Sequence, residues 1–299
     1  MIRQMELETV VLEVLQKENN MISCLDYTVL RKEELKKEII KFQEKTEKQN
    51  KKFVAPTLVV FQIDEDYASN LYIKNKKNDC TEIGMRCIHE HIDSRKHSQQ
   101  DLEKIIKEYD ASISIHGIII QLPVPDKYNV EKLQRCISPE KDVDGFRNDS
   151  CFKPCTPLGI INWLKFNNYN FLGKNIVVLG RSKIVGKPLV NMLIDEGATV
   201  TCCNSHSKVI SHTIDADMVI SAVGKAKEFG WAYFTDNTEI IVDVGINRDS
   251  NNKLCGDIDL VYFDDYLPYT YVTPVPKGVG LLTRLTLLEN VMDVYRKDN

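Results

Sequence analysis

Long apolar runs are missing from this chain. Its most hydrophobic stretches, Val54 to Ile63 and His116-Gly-Ile-Ile-Ile-Gln121, fall far short of the roughly eighteen residues a membrane helix requires, so a soluble protein with no membrane partner is expected. An excess of positive charge is also missing. Lys+Arg 39 against Asp+Glu 43 leaves a formal charge of −4, too little basic surface to hold a polyanion, and no nucleic-acid partner is expected. Paired C-x-x-C spacings are absent, and the nine cysteines are odd in number, which excludes both a disulfide framework and a structural zinc site and leaves reduced thiols. The opening MIRQMELETVVLEVLQKENN places Glu6, Glu8 and Glu13 within an amphipathic pattern, unlike the uncharged core of a signal peptide or an acid-poor presequence. A mature cytoplasmic start is the expectation. Neither an internal repeat nor a low-complexity tract is found.

What is present is an alternation of strand-like and helix-like segments in 299 residues, enough for one large or two medium domains. Leu35, Ile39, Ile40 and Phe42 among Lys and Glu predict an amphipathic helix from Glu33 to Lys51. Pro56 to Ile63 reads as a buried strand, and Asp64-Glu-Asp66 as the cap of a helix ending at Gly84 in the C′ position. A strand (Arg86 to Ile92), a helix (Gln100 to Tyr109) and a strand (Ile115 to Gln121) follow. Asn, Asp, Ser and prolines around Cys151 to Pro157 suggest a boundary. The alternation then restarts with a strand Asn175 to Leu179, a glycine turn, a helix Ile184 to Glu196, and strand-like runs Ala198 to Cys203, Asp217 to Val223 and Glu239 to Gly245. Such a pattern predicts α/β architecture, with a doubly wound nucleotide-binding sheet in the second half. Leu281 to Arg296 reads as a helix able to pack back onto the first domain.

Several segments carry chemistry. Gly180-Arg-Ser-Lys-Ile-Val-Gly186-Lys-Pro188 follows a strand and opens a helix, so its free amides can hold a pyrophosphate. Its spacing is not G-x-G-x-x-G, because Ser182 takes the middle position. Where a ribose-binding carboxylate would select NAD, the chain has Asn204, Ser205 and His206, which favours NADP. Tyr72 and Lys76 lie at i and i+4 on one helical face, offering an aromatic plate and an amine to a single ligand. Gln121 ends an apolar strand at the edge where parallel sheets bind ligands, and Asp142 and Asp144 precede a turn at Gly145. Cys87, His89 and His91 alternate on one side of a strand; with no second ligand group to answer them, they read as a polar strand face rather than a metal site.

Together these motifs resemble the bifunctional methylenetetrahydrofolate dehydrogenase/methenyltetrahydrofolate cyclohydrolase family over nearly the whole chain. The resemblance rests on Ser69-Asn-Leu-Tyr-Ile-Lys-Asn-Lys76, His116 to Pro123, Pro139-Glu-Lys-Asp-Val-Asp-Gly145, Pro154-Cys-Thr-Pro157, Gly180 to Pro188, Asp243-Val-Gly-Ile-Asn247 and Thr273-Pro-Val-Pro276, in that order. It implies an amino-terminal folate-binding catalytic domain (1–157, completed by a carboxyl-terminal helix 281–299), a Rossmann-type NAD(P)-binding domain (158–280), a cleft between them, and a homodimer. It also implies oxidation of 5,10-methylenetetrahydrofolate with NADP, NAD remaining open, and hydrolysis of the methenyl product to 10-formyltetrahydrofolate. By the resemblance, Lys76 paired with Gln121 handles protons, Tyr72 stacks on the folate and Asp144 binds the pterin edge. Ile120, Leu122, Pro276, Val279 and Gly280 complete the substrate site, while Gly180, Arg181, Ser182, Ser205 and Ile246 face the cofactor.

The chain departs from the family pattern in places. Ile63 and Tyr67 replace a glycine and a proline, the segment between Gly145 and Pro154 is short, Lys277 replaces a loop glycine, Leu281-Leu282 replace Pro-Met, and Asn204 stands where histidine is common. Two alternatives follow: a monofunctional dehydrogenase, which intact Lys76 and Gln121 argue against, and a non-catalytic folate or nucleotide binder, supported only by Lys277.

Overall fold

A computed structural model describes residues 20–299. The amphipathic opening pattern, with Glu6, Glu8 and Glu13, lies outside the described residues. The chain divides into two compact units. The first comprises Val29–Cys155 and Arg284–Asn299; the second comprises residues 20–28 and Thr156–Thr283.

In the first unit, three parallel strands stand in the order β2-β1-β3: β1 (Thr57–Ile63), β2 (Arg86–Ile92) and β3 (Gly117–Ile120). All seven residues of β1 are buried, as expected of a central strand whose two faces are covered, which is why its sequence is continuously apolar. The edge strand β2 is mostly half-buried, and its polar side chains have partners: His89 lies 2.8 Å from Gln62 Oε1, and His91 lies 3.4 Å from Glu65. Helices α1 (Leu25–Lys48), α2 (Tyr67–Ile83), α3 (Gln99–Asp110) and the short α4 (Val130–Gln134) accompany the sheet.

The apolar stripe of α1 is narrower than its sequence suggests. Leu35 and Ile39 are buried, but Ile40 is 45% exposed, because one residue beyond Ile39 turns the side chain about 100° off the stripe. Helix α2 begins at its Asp66 cap, whose carboxylate accepts from Ser69 N, and ends at Gly84 in the left-handed conformation, φ 87°. Ser98 and Asp101 form a reciprocal capping box on α3. The last helix, α9 (Val279–Asp298), contributes buried Leu285, Leu288, Val291 and Tyr295 to this unit, and Tyr295 donates to Val54 O at 2.9 Å. Its Val291, with Val143, packs so closely on Gly117 that a Cβ there would come within 2.9 Å of both side chains.

In the second unit, five parallel strands stand in the order β10-β7-β6-β4-β5. They are β4 (Asn175–Leu179), β5 (Thr199–Cys203), β6 (Met218–Ser221), β7 (Ile240–Asp243) and β10 (Tyr271–Val272). From β4 the chain passes through α6 (Gly186–Asp195) to β5 on one side, then returns through α7 (Ile210–Thr213) to β6 on the other. The order reverses at β4, which opens a crevice beyond the carboxyl ends of β4 and β6, the place where doubly wound sheets bind ligands.

Some elements have no counterpart in the sequence pattern. Helix α5 (Cys155–Phe166) starts inside the proline cluster that suggests a boundary. Strands β8 (Asn247–Arg248) and β9 (Leu254–Cys255) form a small antiparallel pair, and α8 (Phe263–Tyr266) precedes β10. Residues 20–28 run along the edge of the second sheet. Ile22 N donates to Val272 O and Cys24 N to Lys277 O, while Met21 bridges to Val272, tying this segment to the edge of the second sheet.

Candidate active site and cofactor site

The first unit gathers its reactive side chains on one face of α2. Ser69, Ile73, Lys76, Cys80 and Ile83 recur at helical spacing, so the lysine sits within the face turned toward the interior, with Tyr72 half-buried one turn before it. Lys76 Nζ donates to Gln121 Oε1 at 3.0 Å. Gln121 follows directly on β3: its backbone N donates to Phe61 O at 2.8 Å, and its side-chain amide donates to Leu122 O at 2.8 Å. Ser69 Oγ donates to the same Leu122 carbonyl at 3.2 Å, joining the start of α2 to the strand end. The glutamine is thus held at both ends, and its free carbonyl is aimed at the amine.

Asp144 stands before the Gly145 turn, where φ is 71° and a Cβ would lie 2.6 Å from the Lys153 carbonyl, so no other residue closes this turn without rearrangement. Burial pushes the Asp144 carboxyl above its ordinary range, opposed by the nearby charge of Lys76. Burial likewise raises the Tyr72 phenol. Cys155 Sγ donates to Val143 O at 3.2 Å and Asn290 Nδ2 donates to the same oxygen at 2.8 Å, which holds the backbone immediately before Asp144. Neither carries a signal of this role in the sequence, because Cys155 lies beyond the turn and Asn290 reaches the site only through the return of α9.

One expected substrate residue is placed differently. The side chain of Ile120 is 4% exposed and packs in the core with Phe61, Ile118 and Leu133, since alternation along β3 turns it away from the edge; only its backbone can meet a ligand.

In the second unit the site is built mainly from backbone. Gly180 leaves β4 with φ 106°, and a Cβ there would lie 2.4 Å from Ala222 O at the end of β6. A Cβ on Gly186, the first residue of α6, would lie 2.1 Å from Gly180 O. These glycines let the turn fold onto the mouth of the crevice, with the amino end of α6 behind it. Ser182 Oγ accepts from Val185 N at 3.1 Å, fixing the turn, and Arg181 projects exposed from it. Ser205 is exposed just past β5, and no carboxylate stands there.

Two buried carboxylates hold the facing loops. Asp257, fully buried, accepts from Ser221 Oγ, Val223 N, Lys225 N and Asn247 Nδ2 at 2.8 to 2.9 Å. Asp243 accepts from Gly245 N, Asp257 N and Ile258 N at 2.9 to 3.0 Å, and burial pushes it up from 3.8 to about 6. They leave Ile246 43% exposed, and a Cβ on Gly280 would lie 3.5 Å from its tip. Pro276 is exposed, whereas Val279, expected over the substrate, is only 3% exposed at the start of α9.

Residues 30–144 match the tetrahydrofolate dehydrogenase/cyclohydrolase catalytic domain, and residues 154–299 match the NAD(P)-binding domain of the same family. The chain belongs to the tetrahydrofolate dehydrogenase/cyclohydrolase family. It is 38% identical over 277 residues to the bifunctional protein FolD of Agathobacter rectalis, covering 89% of this chain and 95% of that protein. The crystal structure of the bifunctional FolD methylenetetrahydrofolate dehydrogenase/cyclohydrolase from Campylobacter jejuni superposes with a TM-score of 0.83 at 33% identity, covering 91% of this chain and 96% of the other. The Trypanosoma brucei methylenetetrahydrofolate dehydrogenase-cyclohydrolase, solved with NADP and an inhibitor, gives a TM-score of 0.81 at 25% identity, covering 93% and 97%. Within the family match, the Lys76–Gln121 pair falls in the catalytic domain and the Gly180–Gly186 turn in the NAD(P)-binding domain.

Proposed function

We propose that this member of the family oxidises 5,10-methylenetetrahydrofolate to the methenyl form with NADP and hydrolyses that product to 10-formyltetrahydrofolate. The observation that carries this reading is the Lys76 Nζ to Gln121 Oε1 bond of 3.0 Å, on the helical face that also carries Tyr72. Tyr72 offers a flat, half-buried surface for the folate ring, and Asp144 accepts hydrogen bonds from the pterin edge, so the one-carbon bridge is presented to Lys76.

Water addition to a methenyl cation needs a group that orients the water and takes a proton. An amine whose position is fixed by a glutamine fills that role. Leu122, at the strand end, completes the substrate contacts of this unit. NADP, when bound, supplies the hydride acceptor. The residues fit it, because the turn at Gly180 and Gly186 has room only for hydrogen atoms where side chains would start, Ser182 fixes its amides, and Arg181 and Ser205 can meet a 2′-phosphate beside Ile246.

The domain limits are read as 1–157 with 281–299, and 158–280. The protein is further read as a cytoplasmic homodimer, which its nine free cysteines suit and a sedimentation experiment tests. Among the described residues no helix is long and apolar enough to cross a membrane. A spectrophotometric assay with 5,10-methylenetetrahydrofolate and each nicotinamide cofactor tests the activity. Transient methenyl absorbance followed by its decay supports both steps; accumulation without decay identifies a dehydrogenase alone, and no change a binding protein.

A further inference from the structure

The face of α2 that carries Tyr72 and Lys76 continues to Asp79, three residues past the lysine and close enough for the two side chains to meet. Asp79 is 5% exposed, and a carboxylate at that depth requires a cation. Of the three lysines on this helix, Lys76 is the one a turn before Asp79 on the same face, yet its amine is found on Gln121. Both Asp79 oxygens face cations from other elements: Lys32 Nζ on α1 lies 2.5 Å from Oδ1 and donates to it, and the Arg284 guanidinium on α9 lies 3.1 Å from Oδ2 as an ion pair that leaves this oxygen without a hydrogen bond. Lys32 also donates to Glu82 Oε2 at 2.7 Å, which anchors it independently of Asp79. Arg284 is nearly enclosed, with 17% of its side chain exposed.

We propose that Lys32 and Arg284 are positioning residues for Lys76: by neutralising the Asp79 carboxylate from two sides they keep it from capturing the Lys76 ammonium, which therefore stays on Gln121. The inference rests on the reading of Lys76 as the water-activating group. An Asp79–Lys76 ion pair would favour the charged amine and draw it one turn along the helix, away from the substrate. The charge of Lys76 reaches Asp144 and Cys155 beyond β3, Cys80 on α2 and Cys87 on β2, and the variants below leave all four in place.

The test compares Arg284→Gln, Asp79→Asn and the double variant in hydrolysis of methenyltetrahydrofolate, measuring kcat, KM and the kcat–pH profile. Arg284→Gln removes the cation that faces Oδ2. Its kcat should fall about tenfold with KM little changed, and the acidic limb of the profile should move to higher pH. Asp79→Asn leaves the two cations without their carboxylate and should move that limb to lower pH. The double variant should recover to within about threefold of the wild type, since the competing carboxylate is gone. Limbs that move the same way in both single variants, or a double variant no better than Arg284→Gln, would mark the cluster as packing alone and overturn the proposal. If Arg284→Gln does not fold, Asp79→Asn decides, and an unmoved limb refutes. Failure of the parent reading is told apart because full hydrolysis would then survive in Lys76→Ala, which would overturn both.

Discussion

The two units solve ligand binding in opposite ways. In the first, three short strands and the face of α2 place side chains, and the chemistry depends on which atom each one touches: Lys76 on Gln121, Gln121 on Leu122 O, Asp144 beside Cys155. In the second, five strands end in loops whose amides do the work, so what matters is the absence of side chains at Gly180 and Gly186 and the buried carboxylates of Asp243 and Asp257 behind the loops. A reaction that moves protons needs functional groups; a site for phosphates needs oriented N–H groups and little else. The contrast predicts that substitutions in the first unit damage chemistry, whereas those in the second damage binding or stability.

The largest effect tests the first half of that contrast. Lys76→Ala should lower the cyclohydrolase rate on the order of a hundredfold or more while folate binding stays measurable, because the amine handles protons rather than most of the contact area. Unchanged hydrolysis of methenyltetrahydrofolate would break the assignment.

In the second unit the largest effect is on stability. The folded carboxyl of Asp243 is raised from 3.8 to about 6, so its contribution to stability is fully present below about pH 4 and is lost as pH rises through about 6. Asp243→Asn cannot titrate. The unfolding free energy of the wild type relative to this variant should therefore fall by on the order of 3 kcal/mol between pH 4 and pH 7. A difference independent of pH in urea unfolding would show that the three backbone amides, not burial, dominate its protonation.

Cofactor affinity comes next. Arg181→Ala should raise the KM for NADP by roughly tenfold to a hundredfold, and much less for NAD, if the guanidinium meets the 2′-phosphate. Equal damage to both cofactors would place it on the pyrophosphate, and a wild type faster with NAD would refute the preference. Both outcomes leave hydrolysis in the first unit untouched, which is the sharper form of the comparison.

What is legible in the sequence follows the same division. Continuous burial makes β1 readable from Thr57 to Ile63, and local chemistry marks both ends of α2, at Asp66 and Gly84. The glycine turn after β4 is readable because strand, turn and helix are contiguous. Helix α5 is hidden because its prolines resemble a linker, although Pro157, in the first turn of the helix, lacks only an N–H that has no helical partner there. Burial of Ile120 and Val279 is not legible, because a motif identifies a segment without saying which side chains point inward. The partners of Asp79 are invisible for a different reason: Lys32 lies 47 residues away and Arg284 on the last helix, and charge at such separations carries no local signal.

The smallest predicted effect falls where this chain departs from its family pattern. Lys277 adopts φ 77°, the left-handed region that a side chain disfavours, and its carbonyl accepts from Cys24 N at 3.1 Å and Ser23 Oγ at 3.2 Å, which holds the backbone there. A Cβ on the following Gly278 would lie 2.3 Å from Pro274 O, so the strain cannot be passed along the loop. Lys277→Gly should raise stability by about 1 kcal/mol or less, the relief of strain being partly offset by the greater freedom of glycine in the unfolded chain. Because the lysine side chain is exposed, the affinity for mono- and polyglutamylated substrate should stay the same. A loss of affinity confined to the polyglutamate would instead assign the ammonium to the folate tail, and a lower urea midpoint with unchanged affinity would show that the side chain supports the loop.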